Sequence, residues 1–83
     1  MAHIARSSRQ LGAAIQRARK QKGMSQTELA GLAGLRQELV SKIETGQEGT
    51  RLSSIYALLA ALDLEMVIDQ RSGKSAPDIE DIF

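Results

Sequence analysis

The apolar positions of this chain follow two different periods, and the change between them divides it. Leu11, Ile15 and Ala18 recur at i, i+4 and i+7 while Gln16, Arg17 and Lys20 point elsewhere, which predicts an amphipathic helix. Ser7-Ser8-Arg9-Gln10 opens that helix as a capping box, with Ser7 as N-cap and Gln10 reaching back, and Gly23 stops it. Ser25-Gln26-Thr27-Glu28 is a second, stronger capping box, and the helix it opens carries Leu29, Ala30, Leu32 and Ala33. Gly34 follows, at a tight turn where a positive φ is expected. The next helix runs from about residue 37 to 45 and turns Val40 and Ile43 inward. Gly46 and Gly49 bracket a loop, Thr50 is the expected N-cap, and Leu52, Ile55, Tyr56, Leu58, Leu59 and Leu62 give a fourth helix a wide apolar face.

After residue 63 the period shortens. Leu64, Met66 and Ile68 alternate with Glu65, Val67 and Asp69, the pattern of a short strand with one apolar face. A lone strand in a helical chain leaves its backbone hydrogen bonds unmade. Pairing with the same strand of a second copy is the simplest remedy, and Leu64, Met66, Val67 and Ile68 would form that interface. The competing reading is an extended coil packed on its own subunit. Residues 70–77 then read as a flexible linker, leading to Asp78-Ile79-Glu80-Asp81-Ile82-Phe83. The expected organisation is an arm over 1–7, a helical domain over 8–63, a dimerisation strand over 64–70 and a flexible acidic tail over 71–83.

Composition narrows the picture. Eighty-three residues make one domain with a thin stability margin, which a partner subunit would widen. Tyr56 and Phe83 are the only aromatic residues, so the core is aliphatic and suits packed helices. The chain has no cysteine, and its one histidine, His3, lies in the N-terminal arm, where solvent exposure is the ordinary fate. Thiolate metal sites, cysteine nucleophiles, Ser-His-Asp triads and His-based zinc sites are therefore excluded, and neither an enzyme nor a cofactor is expected. With no long apolar run and no signal peptide, the expectation is a soluble intracellular protein with no membrane partner.

The net charge of +1 conceals an asymmetry. Residues 1–22 carry Arg6, Arg9, Arg17, Arg19, Lys20 and Lys22 without one acidic residue, whereas the end of the chain sets Asp78, Glu80 and Asp81 against Lys74. The basic half suits a polyanion, although a solvated helix face would look the same by charge alone.

The informative stretch is residues 26–45, QTELAGLAGLRQELVSKIET. Leu29, Ala33, Leu35, Val40 and Ile43 are apolar where two helices must press together, and Ala30 is small where they cross closely. Arg36, Gln37, Glu38, Ser41, Lys42 and Thr45 are left on the outward face of the last helix and its entrance, where a helix in the major groove presents side chains to base edges.

This stretch resembles the helix-turn-helix of lambda-type phage repressors and the XRE-type bacterial regulators related to them, over residues 8–63. Gln26 opens the first helix of the motif, Gly34 holds the turn, and Lys42-Ile43-Glu44 stands where that family often has Arg-Ile-Glu. The resemblance implies an all-α lambda-repressor-like bundle of four or five helices, with the C-terminal strand pairing across a dimer. It also implies a structural ion pair between Arg19 and Glu44, so Arg19 is not counted among DNA contacts. Gln37 would offer its amide to adenine N6 and N7. Arg36 would reach guanine or a phosphate, while Gln26 and Thr27 would grip a phosphate together with free backbone N–H groups. Ser41, Lys42 and Thr45 would face bases or backbone. Glu38 either accepts from cytosine or favours the helix dipole, and Leu39 either meets thymine methyls or packs inward.

The order of parts is similar to one subgroup, the HipB-type antitoxins. Gly49-Thr50-Arg51-Leu52-Ser53-Ser54 and Leu62-Asp63-Leu64-Glu65-Met66 carry that likeness. It implies a cytoplasmic, nucleoid-associated bacterial repressor that binds palindromic double-stranded operator DNA as a homodimer and also binds a HipA-like kinase toxin. Ile79, Ile82 and Phe83 would then touch the toxin, unless the tail is inert. The alternative is a stand-alone phage-type repressor with no toxin partner.

Overall fold

Ile15, Leu29, Val40, Leu58 and Leu62 are fully buried, and every helix contributes at least one of them or ends on one. The computed structural model describes residues 4–71; His3 and the acidic end with Ile79, Ile82 and Phe83 lie outside the described residues. Four helices follow one another: α1 (Ser8–Gln21), α2 (Gln26–Ala33), α3 (Gln37–Glu44) and α4 (Leu52–Ala61). α3 packs on α1 and α2, and α2 also packs on α4, so the bundle is all-α with α3 laid across its neighbours.

The helix starts follow from their caps. Ser7 accepts from the Gln10 backbone N–H at 3.1 Å, but the Gln10 side chain reaches past it to the Arg6 backbone N–H, one residue earlier than a closed box requires. At α2 the box is complete: Ser25 Oγ accepts from Glu28 N–H at 3.0 Å and Glu28 Oε1 accepts from Ser25 N–H at 2.8 Å. α4 starts differently from the sequence expectation. Its N-cap is Arg51, with no side-chain cap, and the Thr50 hydroxyl instead faces the Gln47 carbonyl at 3.5 Å.

The helix ends are left-handed. Gly34 (φ 72°) closes α2, and the turn it makes swings the chain back into α3. Asp63 (φ 60°) does the same after α4, with Leu64 N–H bonded to the Leu59 carbonyl and Asp63 N–H to that of Ala60. That is the paired backbone bonding of a Schellman end, built on aspartate where glycine is usual.

The aliphatic core joins Ile15, Leu29, Ala30, Val40, Ile43, Ile55, Leu58, Leu59 and Leu62, with Leu11, Ala18, Met24, Ala33, Leu35, Leu39 and Ala61 packed against it. Leu39 thus packs inward. Leu32 does not join the core; it is exposed on the far side of α2. On α4, Leu52 and Tyr56 share an exposed face one turn apart, so the wide apolar face is only half covered.

Among the described residues there is no strand. Residues 64–70 carry no regular structure in the single chain, and the expected strand is one that pairs across two copies. The reason is physical: a strand exists by its ladder, and one copy supplies no second edge. Val67 and Ile68 are 73% and 91% exposed, which also disposes of a coil packed on its own subunit at those positions. Leu64 and Met66 are also exposed, though less so, and the Tyr56 hydroxyl on α4 lies 3.7 Å from Met66 Sδ.

Candidate nucleic-acid interface

The site is built outward from a buried charge pair. Arg19 on α1 and Glu44 on α3 are 7% and 5% exposed, the two buried charged residues of the described chain. Arg19 donates through Nε to Glu44 Oε2 at 2.6 Å and through Nη2 to Oε1 at 3.0 Å, a two-pronged fit of planar guanidinium to carboxylate. Its Nη1 donates to the Met24 carbonyl at 2.8 Å, fastening the α1–α2 connection to the same group. Burial by itself would push the Glu44 carboxyl up. The hydrogen bonds from Arg19 and Gln26 outweigh it and hold that carboxyl below its ordinary value. The Glu44 carboxylate in turn raises Arg19 further, against the opposing effect of burial.

From this pair a line of hydrogen bonds runs to the surface. Gln26, the first residue of α2, donates through Nε2 to Glu44 Oε1 at 3.0 Å. Gln37, the first residue of α3, donates through Nε2 to Gln26 Oε1 at 2.7 Å. The two helix starts are thus joined side chain to side chain, and the exposed amide of Gln37 is anchored to a buried carboxylate. The side chain of Gln26 is turned to this network rather than outward, which leaves Thr27 and the first-turn backbone N–H groups of α2 on the outer edge.

Around Gln37 the outer surface of α3 is polar. Arg36, Gln37, Glu38, Lys42 and Thr45 are exposed and Ser41 is half-buried. Arg36 is the exposed N-cap of α3, without a side-chain cap bond. The Thr45 hydroxyl donates back to the Lys42 carbonyl at 2.9 Å, so its proton is used on its own helix end and its oxygen remains an acceptor. Beneath this face Val40 and Ile43 are buried, so apolar packing holds the outer residues in place.

One determinant escaped the sequence reading. Gly12 is buried on α1 where α3 crosses it, and a Cβ there would strike the Ile43 carbonyl oxygen and lie 2.8 Å from that of Glu44. Glycine inside a helix costs about 1 kcal/mol relative to alanine, and that penalty was the available signal.

An all-α bundle that presents a polar helix beside the start of its predecessor defines the helix-turn-helix class, and the chain belongs to it: the family model described as Helix-turn-helix matches residues 15–68. Within that class it belongs to the HipB-like group. It is 31% identical over 74 residues to Antitoxin HipB of Escherichia coli (strain K12), covering 89% of this chain and 84% of that protein. Two solved structures are similar. One is described as a HipB-O4 20mer complex (TM-score 0.80, 30% identity, 86% of this chain and 100% of that chain). The other is a HipA-HipB-O2-O3 complex (TM-score 0.79, 30% identity, 86% and 100%). No helix among the described residues is long and apolar enough to cross a membrane.

Proposed function

We propose that the chain is the DNA-binding antitoxin of a HipBA-type operon, a dimer that represses from a palindromic operator and also binds a HipA-like toxin. The observation that carries DNA reading is the polar face of α3, with the Gln37 amide fixed to Gln26 at 2.7 Å over a packed core. A helix with its polar side outward fits the B-DNA major groove, about 12 Å wide. Thr27 and the α2 start would bind a phosphate, and Lys42 and Arg36 would add positive charge on either side of Gln37. In this reading residues 1–7 are an arm, 8–63 read DNA, 64–70 dimerise and 71–83 form the tail.

Toxin binding and operator repression rest on the likeness to HipB, whose complexes with HipA and with O2, O3 and O4 carry this same fold over 86% of the chain. A bacterial cytoplasmic, nucleoid-bound protein follows from that function. The dimer rests on the uncovered apolar residues: Tyr56, Leu64, Met66, Val67 and Ile68 are each at least 39% exposed in one copy. One helix-turn-helix reads only about four base pairs, and a two-fold pair spaces two of them about 34–36 Å apart.

The test begins with selection from a library of duplexes randomised over about two helical turns. The selected duplex should be a palindrome, and its affinity should fall by about 10³–10⁵ between 50 and 200 mM salt for 6–10 phosphate contacts. Gln37→Ala should cost about 1–3 kcal/mol at one base position per half-site, while Lys42→Ala should weaken all sequences alike and reduce the salt slope by about 1. No shift of any duplex, or binding indifferent to salt, removes DNA reading. Co-purification with the kinase-like product of the neighbouring gene tests the antitoxin role; its absence favours a stand-alone repressor.

A further inference from the structure

We propose that Glu44, a residue too deep to touch DNA, decides which base Gln37 accepts, by fixing the direction of the hydrogen-bond line that joins them. The inference rests on the DNA-reading function proposed above.

An ionised carboxylate can only accept, and Glu44 faces donors: Arg19 Nε and Nη2, Gln26 Nε2, and the side chain of Gln16. A carboxamide has two different ends, an oxygen that accepts and an NH₂ that donates. Because Glu44 accepts, Gln26 must turn its NH₂ toward it, which it does at 3.0 Å. With its NH₂ held there, the end of Gln26 that lies against Gln37 is its oxygen, and Gln37 turns its NH₂ inward to meet it at 2.7 Å. The carboxylate fixes the first choice, and the position of the Gln26 oxygen beside Gln37 fixes the second. The line runs one way, from the exposed Gln37 to the 5%-exposed Glu44.

That direction fixes what Gln37 has left. One of its two N–H groups is used on Gln26, so its outward edge is Oε1 plus one remaining N–H: one acceptor beside one donor. Adenine offers the complement in the major groove, a donor at N6 beside an acceptor at N7, whereas guanine offers two acceptors at O6 and N7. With the line reversed, Oε1 of Gln37 would accept from Gln26 and both N–H groups would face outward, the pattern that suits guanine. Glu44 and Gln26 are therefore positioning residues for base choice, acting through the orientation of one amide.

The experiment measures the ratio of affinities for an adenine and a guanine duplex at one position. The duplex is the one selected by the wild-type protein, and the position is the base pair whose preference Gln37→Ala abolishes. The wild-type ratio should be about 5- to 150-fold in favour of adenine, the range of one good bidentate contact. Glu44→Gln places a group that can donate at the buried end and permits the reversed line. The ratio should then fall at least about fivefold, and the guanine duplex should bind more tightly relative to all other changes at that position. Gln26→Ala cuts the line but leaves Arg19 and Glu44 paired, so it folds, as a melting curve verifies. Its ratio should fall to within about threefold of unity, whatever happens to overall affinity. Where Glu44→Gln does not fold, Gln26→Ala decides. A folded Gln26→Ala protein that keeps the wild-type ratio overturns the inference while leaving DNA binding intact. Failure of the wild-type protein to select any duplex overturns the underlying function itself.

Discussion

Gly12 of α1 meets Ile43 of α3 backbone to backbone: a methyl group at residue 12 would occupy the space of the Ile43 carbonyl oxygen. This contact seats α3 on α1 and brings Glu44 within reach of Arg19, whose Nε is 2.6 Å from it. Because the obstacle is backbone on both helices, neither side can yield by a rotamer change. Gly12→Ala should destabilise by about 3 kcal/mol, the upper range for overpacking, in spite of alanine's better helix propensity. A thermal melt should show a loss of more than about 10 °C for a domain this small. An unchanged melting temperature would mean that α1 and α3 lie further apart.

The Arg19–Glu44 pair gives a pH dependence whose sign is fixed. The Glu44 carboxyl titrates below its unfolded value, so the folded state favours its ionised form. Its stabilising effect is complete above the unfolded carboxylate value of about 4.3 and is lost as pH falls through the lower folded value. Stability measured by urea melts should therefore hold from pH 7 to about 5 and decline below about 4. Glu44→Ala should cost about 3–5 kcal/mol at pH 7, since it leaves the Arg19 charge buried without its partner, and its acid decline should be shallower. Equal acid sensitivity in the variant would assign the decline to other carboxyls.

Asp63 tests the end of α4. Its φ of 60° is tolerated by aspartate and suited to glycine, but a β-branched side chain is strained there. Asp63→Val should cost about 1–2 kcal/mol, whereas Asp63→Gly should be neutral or stabilise by up to about 1 kcal/mol. Chemical denaturation separates the two. A harmless valine would show that the chain leaves α4 by another path.

Ile68, 91% exposed in one copy, probes self-association. Ile68→Lys paired with Val67→Lys should shift the protein from dimer to monomer in sedimentation velocity, and operator affinity should drop because half-sites are then bound singly. The four-helix unit should keep its helical signal, since neither side chain belongs to the core. A variant that remains dimeric would move the interface away from residues 64–68.

Much of the fold was legible because it is locally coded. The Ser25 box, the left-handed Gly34 and the period of Ile15, Val40, Ile43 and Leu58 each act within a turn or two of chain. Where local coding is ambiguous, neighbouring residues compete for one role: the pattern favours Thr50 as the cap of α4, and Arg51 stands there instead. Leu32 fits the apolar pattern of α2 yet faces solvent, because a pattern states which positions are apolar and not how much surface there is to cover them. Of the site, the residue types and the exposed face of α3 were readable. The inward turn of Gln26 was not, since the carboxylate that draws it lies 18 residues away.

By itself, the sequence determined the four helices, their order, the turn between α2 and α3, and the set of polar residues that α3 carries outward; short-range capping and periodicity suffice for these. Only the tertiary structure decided that Gly12 is a crossing point, that Leu39 packs inward, and that Gln37, Gln26, Glu44 and Arg19 form one directed line of hydrogen bonds. Those depend on contacts between residues as far apart in the chain as Gly12 and Glu44, and which end of an amide faces which neighbour is settled only when the neighbours are in place.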